Sequence, residues 1–184
     1  MARIHLITGG SRSGKSAYAQ RLAETLRGPR AFVATCPVID AEMAERVRKH
    51  QEARRKGEWE TIEAPVDLAG AIRGAAEFRV LLVDCLTLWA NNLLYEAEGR
   101  GERFSEEEMA GQCRELIEAC GAFAGTVLFV TNELGMGIIP ENETARRFRD
   151  IAGRMNQLVA AAAEAVTLVV SGLPVILKQQ ERNS

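Results

Sequence analysis

The chain has 184 residues, 47% hydrophobic and 26% charged, with a formal net charge of −2. That composition is ordinary for a globular chain long enough to bury a substantial core, and one domain over residues 1–184 is expected. The slightly acidic balance excludes broad binding to nucleic acid or to anionic membranes, both of which favour a basic surface.

The first element is a strand over residues 3–8, entered almost at once and without a signal-peptide pattern. His5 lies within it and reads as structural. The strand stops at a glycine-rich bend, and a helix over residues 15–26 follows. Gly9, Gly10, Ser11, Arg12, Ser13, Gly14, Lys15 and Ser16 satisfy G-x-x-x-x-G-K-[ST]. Glycines let the backbone wrap an anion with its N–H groups pointing inward, and the helix start adds its positive end. Lys15 is placed to reach β- and γ-phosphates, and Ser16 to ligate Mg²⁺. A chance match in a glycine-rich turn is the alternative, but the strand-before, helix-after setting favours a nucleoside triphosphate site.

A second strand is expected over residues 31–35, then a helix over residues 40–55. In that helix Ile39, Met43 and Val47 form an apolar stripe, and Glu42, Arg46, His50 and Arg54 form the stripe beside it. Two guanidiniums flanking an imidazole suit a phosphate chain, and they would keep His50 neutral and nucleophilic. A solvated basic face carrying an incidental histidine is the competing reading. A short helix over residues 66–75 leads to the run "VLLVD" at residues 80–84. Asp84 closes that run as a Mg²⁺-binding carboxylate, as a cap for the next helix, or as both.

The next helix spans residues 86–95, and residues 98–104, with Gly99 and Gly101, are the most loop-like stretch. Ser105 and Glu108 form a capping box for a helix over residues 106–123. Within it Cys113 and Cys120 are seven apart and read as core. With Cys36 and Cys85 they make no CxxC pair, so neither a disulfide framework nor a zinc site is expected. A strand over residues 126–131 precedes the polar pair Asn132-Glu133, and a helix covers residues 143–165. The longest apolar tract, around residues 158–170, is interrupted by Glu164 and too short to span a bilayer. A cytoplasmic chain without a membrane anchor is therefore expected. A strand over residues 166–171, a turn at Gly172-Leu173-Pro174 and a final strand over residues 174–178 end the pattern.

Strand–helix alternation predicts an α/β fold with a mostly parallel central sheet, helices on both faces and a short antiparallel C-terminal strand. With the phosphate loop this is a P-loop NTPase fold of the RecA-like kind. Ligands then bind beyond the carboxyl ends of the strands, where Thr8-Gly9, Thr35-Cys36, Asp84, Asn132-Glu133 and Ser171 gather.

At this point the sequence resembles a known family, the bifunctional adenosylcobinamide kinase / adenosylcobinamide-phosphate guanylyltransferases of cobalamin biosynthesis. The blocks that carry the resemblance are "ITGGSRSGKS", "VATCPVIDAEMAERVRKHQEARR", "WETIEAP", "LLVDCLTLWANNLL", "VTNELGMGIIPENETARRFRDIAGRMNQLVA" and "VSGLPVILK", in order along nearly the whole chain. The resemblance implies phosphorylation of the hydroxyl on the aminopropanol arm of adenosylcobinamide, then GMP transfer from GTP to that phosphate through GMP bound covalently to His50. It implies that Gly9 to Ser16 hold the GTP phosphates, with GTP or ATP serving the kinase step. Ala34, Thr35, Cys36, Gln51, Glu52, Ala53, Arg54, Glu63 and Asp84 complete the nucleotide site, and Ser16 and Asp84 hold Mg²⁺. The family is expected to carry serine where this chain has Cys36. It also implies a homotrimer. Two rival readings are a single-activity P-loop kinase for another small alcohol and a nucleotide-dependent module. The low basic charge and absence of aromatic platforms count against the nucleic-acid form of the latter.

Overall fold

The computed structural model describes residues 2–36 and 59–180. The expected helix over residues 40–55, which carries Arg46, His50, Gln51, Glu52, Ala53 and Arg54, lies outside the described residues.

Seven strands build one sheet: β1 (Arg3–Gly9), β2 (Arg30–Ala34), β3 (Trp59–Glu63), β4 (Val80–Asp84), β5 (Thr126–Val130), β6 (Ala165–Val170) and β7 (Leu173–Gln179). Their spatial order is β3-β2-β4-β5-β1-β6-β7. Every pairing among β1 to β6 is parallel, and β7 runs antiparallel to β6. This is the expected mostly parallel α/β sheet with an antiparallel C-terminal strand. Five helices are described: α1 (Lys15–Thr25), α2 (Leu68–Gly74), α3 (Leu86–Gly99), α4 (Glu106–Ala122) and α5 (Glu143–Ala162).

The continuous apolar runs of β4 and β5 follow from burial on both faces. Leu81, Val83, Val127 and Phe129 turn toward a large core shared with α2, α3, α4 and α5, where Trp89, Met109, Leu116 and Met155 are buried. Leu82, Leu128 and Val130 turn the other way, into a smaller core with Ile7 and with Ala19 and Ala23 of α1. Cys113 and Cys120 are buried in the large core, as expected. Burial pushes both thiols up to about 12. Ser105 and Glu108 form the capping box at the start of α4. Lys178 of β7 donates to the carbonyls of Ala160 and Ala161, closing the last turn of α5 with a cation. His5 hydrogen-bonds to Thr167 Oγ1 at 2.9 Å, tying β1 to β6.

Several boundaries differ from the sequence reading. Strand β3 is additional: it is an edge strand with exposed Glu60, Thr61 and Glu63, so it carries no alternating apolar signal. Helix α3 runs four residues beyond the expected end at Tyr95, because Ala97 extends the buried stripe of Leu93. Helix α5 stops at Ala162, since Ala163 turns to extended backbone ahead of β6. The last turn is Ser171-Gly172, with φ of 51° and 81°, and β7 begins at Leu173. That two-residue turn with both φ positive is the kind that suits a twisted hairpin. Among the described residues no helix is long and apolar enough to cross a membrane.

Candidate active site

The phosphate loop connects β1 to α1 and sits at the carboxyl edge of the sheet, between neighbours β5 and β6. Its glycines have separate physical reasons. A Cβ on Gly9 would lie 2.4 Å from Val169 O and 2.7 Å from Ser13 Oγ, so only glycine lets β1 leave the sheet this close to β6. Gly14, the residue before α1, has φ of 91°, a left-handed conformation that side chains resist. Helix α1 thus begins without a side-chain cap, and its first amides stay available to an anion.

Lys15 is 8% exposed, and its Nζ donates to Gly10 O across the loop at 3.1 Å. Burial lowers its pKa, and the Asp84 carboxylate, near enough to act on it, opposes that shift. Asp84 is half-buried at the end of β4. Cys85, not Asp84, occupies the N-cap of α3. Burial, and then the Asp84 charge, push the Cys85 thiol up to about 11, so it stays protonated at neutral pH. Ser16 follows Lys15 in the first turn of α1 and is half-buried. The Ser13 hydroxyl is buried in the loop without a hydrogen-bond partner among the described residues. A glycine-shaped loop before an uncapped helix start, an orphaned hydroxyl, a buried ammonium and a nearby carboxylate fit a phosphate chain with a divalent cation.

The remaining expected residues divide in two groups. Ala34, Glu63 and Asp84 stand level with one another on β2, β3 and β4, since Ala34 is the register partner of both acids. Thr35 follows on β2, but its side chain is committed to the scaffold. Its hydroxyl donates to Cys85 O at 2.9 Å and accepts from Cys85 N–H at 2.7 Å. Asn92 of α3 donates to both Thr35 O and Pro65 O at 2.8 Å, which joins the ends of β2 and β3. Glu63, on the far edge strand, is four strand spacings from β1, about 19 Å. The phosphate loop and Glu63 therefore cannot grip the same group; they lie at opposite ends of one track. His50 and residues 51–54 fall outside the described residues.

A sequence model of the family "Cobinamide kinase / cobinamide phosphate guanyltransferase" matches residues 5–177. The chain belongs to this family. It is a transferase with both activities, and the single-activity kinase and binding-module readings fall away. Curated relatives include the bifunctional adenosylcobalamin biosynthesis protein CobP of Pseudomonas aeruginosa, 42% identical over 94% of this chain and 96% of its own. The proteins named CobU of Escherichia coli and Salmonella typhimurium are each 41% identical over 94% of this chain and 98% of their own. Among solved structures, an ATPase from the type III secretion system of pathogenic bacteria superposes with a TM-score of 0.58 at 12% identity. The match covers 95% of this chain and 56% of that one, and it shows a shared fold.

Two features of the site of this cobinamide kinase / guanylyltransferase were not assigned from sequence. The Ser171-Gly172 turn braces the phosphate loop: Gly172 N–H donates to Ser13 O at 2.7 Å. A Cβ on Gly14 would come within 3.2 Å of Gly172 Cα. The other is a buried polar network behind the end of β5. Thr131 Oγ1 donates to Asn156 Oδ1 at 2.8 Å, Asn156 Nδ2 donates to Asn132 O at 3.0 Å, and Asn132 N–H donates to Thr87 Oγ1 at 2.8 Å. The sequence signal for both was no more than a polar strand end, as in "VTNELG" and "VSGLP".

Proposed function

We propose that the cradle from Gly9 to Ser16 holds the triphosphate of GTP, and in the kinase step of GTP or ATP, for two successive transfers to adenosylcobinamide. The observation that carries this reading is the buried Lys15 ammonium on the loop, with Asp84 within electrostatic reach. In the first transfer the hydroxyl of the aminopropanol arm bonds to the γ-phosphorus as the γ–β bridge breaks. A nucleoside diphosphate leaves, and adenosylcobinamide phosphate forms. In the second, His50 bonds to the α-phosphorus of GTP and pyrophosphate departs. An oxygen of adenosylcobinamide phosphate then displaces the histidine, giving adenosylcobinamide-GDP and restoring the imidazole. Dividing GMP transfer in two lets one pocket receive GTP and the corrinoid phosphate in turn.

The chain's own residues have distinct tasks in this scheme. Loop amides and Lys15 hold the β- and γ-oxygens and stabilise charge on the departing group. Ser16 and Asp84 would hold Mg²⁺, which when bound neutralises charge on the same oxygens. Residues at the ends of β2 and β3, from Ala34 to Cys36 and at Glu63, with residues 51–54, are assigned to the nucleoside end. The track between the phosphate loop and Glu63 supports this division. The scheme also places the enzyme in the cytoplasm, where nucleoside triphosphates are made.

A homotrimer completes the reading. Strand β7 exposes Leu173, Val175, Ile176 and Leu177, so both faces of this edge strand are apolar and open. Such an edge is normally covered or paired, and a neighbouring copy would cover it.

The test is His50→Ala incubated with GTP labelled at the α-phosphate. The variant should lose covalent label and guanylyl transfer while retaining GTP binding and at least part of its kinase activity. The phosphate loop and Asp84 do not depend on the imidazole, and the other histidine, His5, is engaged with Thr167. Label that survives in the variant would refute the assignment of His50.

A further inference from the structure

Beyond the last residue of β5 the hydrogen-bond ladder to β1 continues. Thr131 N–H donates to Ile7 O at 3.0 Å and Glu133 N–H to Gly9 O at 3.2 Å. The alternation of side chains therefore also continues through this stretch. Thr131 turns its hydroxyl to Asn156 on α5, away from the phosphate loop. Val130 faces α1 in the smaller core, and its register partner on β4 is Asp84. Asn132, two residues past Val130, falls on that same face. It lies one strand over from β1 and two residues beyond the level of Asp84, toward the open carboxyl edge of the sheet.

Both backbone groups of Asn132 are pinned. Its N–H donates to Thr87 Oγ1 and its carbonyl accepts from Asn156 Nδ2. The pinning groups are themselves buried and satisfied: Thr87 and Thr131 hydroxyls meet at 3.3 Å, and Thr131 donates on to Asn156. A fully bonded buried network of this kind holds its members in one geometry. Its side-chain amide, by contrast, has no hydrogen-bond partner among the described residues, and Asn132 is half-buried. The protein therefore holds the backbone of one asparagine rigidly at the phosphate end of the site, with its carboxamide uncommitted.

We infer that Asn132 is a catalytic residue of the phosphoryl-transfer step, its carboxamide bridging the transferring γ-phosphoryl group and the attacking hydroxyl of the corrinoid. Nδ2 donates to a γ-phosphoryl oxygen, and Oδ1 accepts from the hydroxyl and aims its lone pair at phosphorus. The oxygen–phosphorus bond forms as the γ–β bridge breaks, a nucleoside diphosphate leaves, and the hydroxyl proton ends on the transferred phosphate. Asn132 remains a neutral amide throughout. Such positioning is what phosphoryl transfer asks of a protein, because its transition state offers little covalent chemistry to assist. Reaction at the α-phosphorus, which engages His50, does not call on this group. The inference rests on the phosphate loop being the triphosphate site.

Asn132→Ala and Asn132→Asp are measured beside Lys15→Ala for kinase rate, GTP affinity, covalent labelling from α-labelled GTP and melting temperature. Asn132→Ala should lower kinase kcat about 100-fold or more, the scale of losing one oriented transition-state donor. Labelling at saturating GTP and melting temperature should stay as in the wild type, and GTP affinity should fall by much less than the kinase rate, about 10-fold at most for one lost contact to the γ-phosphate. Asn132→Asp has nearly the same shape and keeps both backbone bonds, but it removes the donor and adds a negative charge facing phosphate. Its kinase rate should fall at least as far. Wild-type kinase rates in both variants, with Lys15→Ala inactive, would overturn the role of Asn132 and leave the phosphate-loop reading standing. Equal loss of kinase and labelling in Asn132→Ala, or an active Asn132→Asp, would make the residue structural and also overturn it. An active Lys15→Ala would remove the phosphate-loop reading, and the inference with it.

Discussion

Gly9→Ala tests whether the phosphate loop owes its geometry to the sheet beneath it. The added Cβ would stand 2.4 Å from Val169 O, about an ångström short of the 3.4 Å at which ordinary contact begins. Gly9 and Val169 are the last register partners of the β1–β6 pair, so the clash falls on backbone where the strand hands over to the loop, and no side chain can swing away to relieve it. The β1–β6 pair must open by about that ångström, and overpacking of this kind costs about 1–3 kcal/mol. At about 2–4 °C per kcal/mol for a chain of this size, the melting temperature should fall by about 2–12 °C. The loop moves with its anchor, and a displacement of about 1 Å can cost about 100-fold in rate. Because both transfers use the same cradle, kinase and guanylyltransferase rates should fall together. Gly10→Ala is the control for stability: nothing lies within 4 Å of its Cβ, so it should melt like the wild type. The measurements are a thermal melt and the two rates on purified protein. A Gly9→Ala variant that melts and turns over like the wild type would refute the argument.

Asp84→Asn is nearly isosteric and should leave the fold intact while weakening Mg²⁺-dependent turnover. Losing a charge-assisted contact of about 1.5–3 kcal/mol corresponds to about 10- to 160-fold at limiting Mg²⁺. A Mg²⁺ titration with unchanged turnover and unchanged midpoint would count against Asp84 as a metal-site residue. Acid stability should depend on His5. Burial lowers the His5 pKa below its ordinary 6.5, so on acidification the unfolded chain takes up the proton first. Its contribution to stability is full above about pH 6.5 and is lost as pH falls toward the folded-state pKa. Urea midpoints at about pH 7 and about pH 5.5 should differ less in His5→Gln than in the wild type; equal differences would mean that His5 is not the group responsible.

Strand β3 shows why part of the fold was illegible. Its Trp59–Glu63 stretch has no buried alternation, since Glu60, Thr61 and Glu63 are exposed and Trp59 and Ile62 only partly covered, so nothing in its pattern separates it from a loop. The end of α3 was missed for a related reason, since exposed Tyr95 conceals the stripe that continues to Ala97. Thr35 was legible as a strand-end residue, but its hydroxyl belongs to Cys85, a partner fifty residues away.

Features that depend on neighbours along the chain could be read from the amino-acid order. The glycine spacing of the phosphate loop, the apolar runs of β4 and β5, the capping box at Ser105 and the lysine at the start of α1 are all local arrangements, and local physics suffices to read them. The folded sheet settles what depends on strands meeting side by side. It set Ala34, Glu63 and Asp84 level on three strands, laid the Ser171-Gly172 turn against Ser13, and brought Asn132 to the face of Asp84 with Thr87 and Asn156 holding its backbone. Those contacts join residues tens of positions apart, and their geometry comes from strand order and register, which no local pattern encodes.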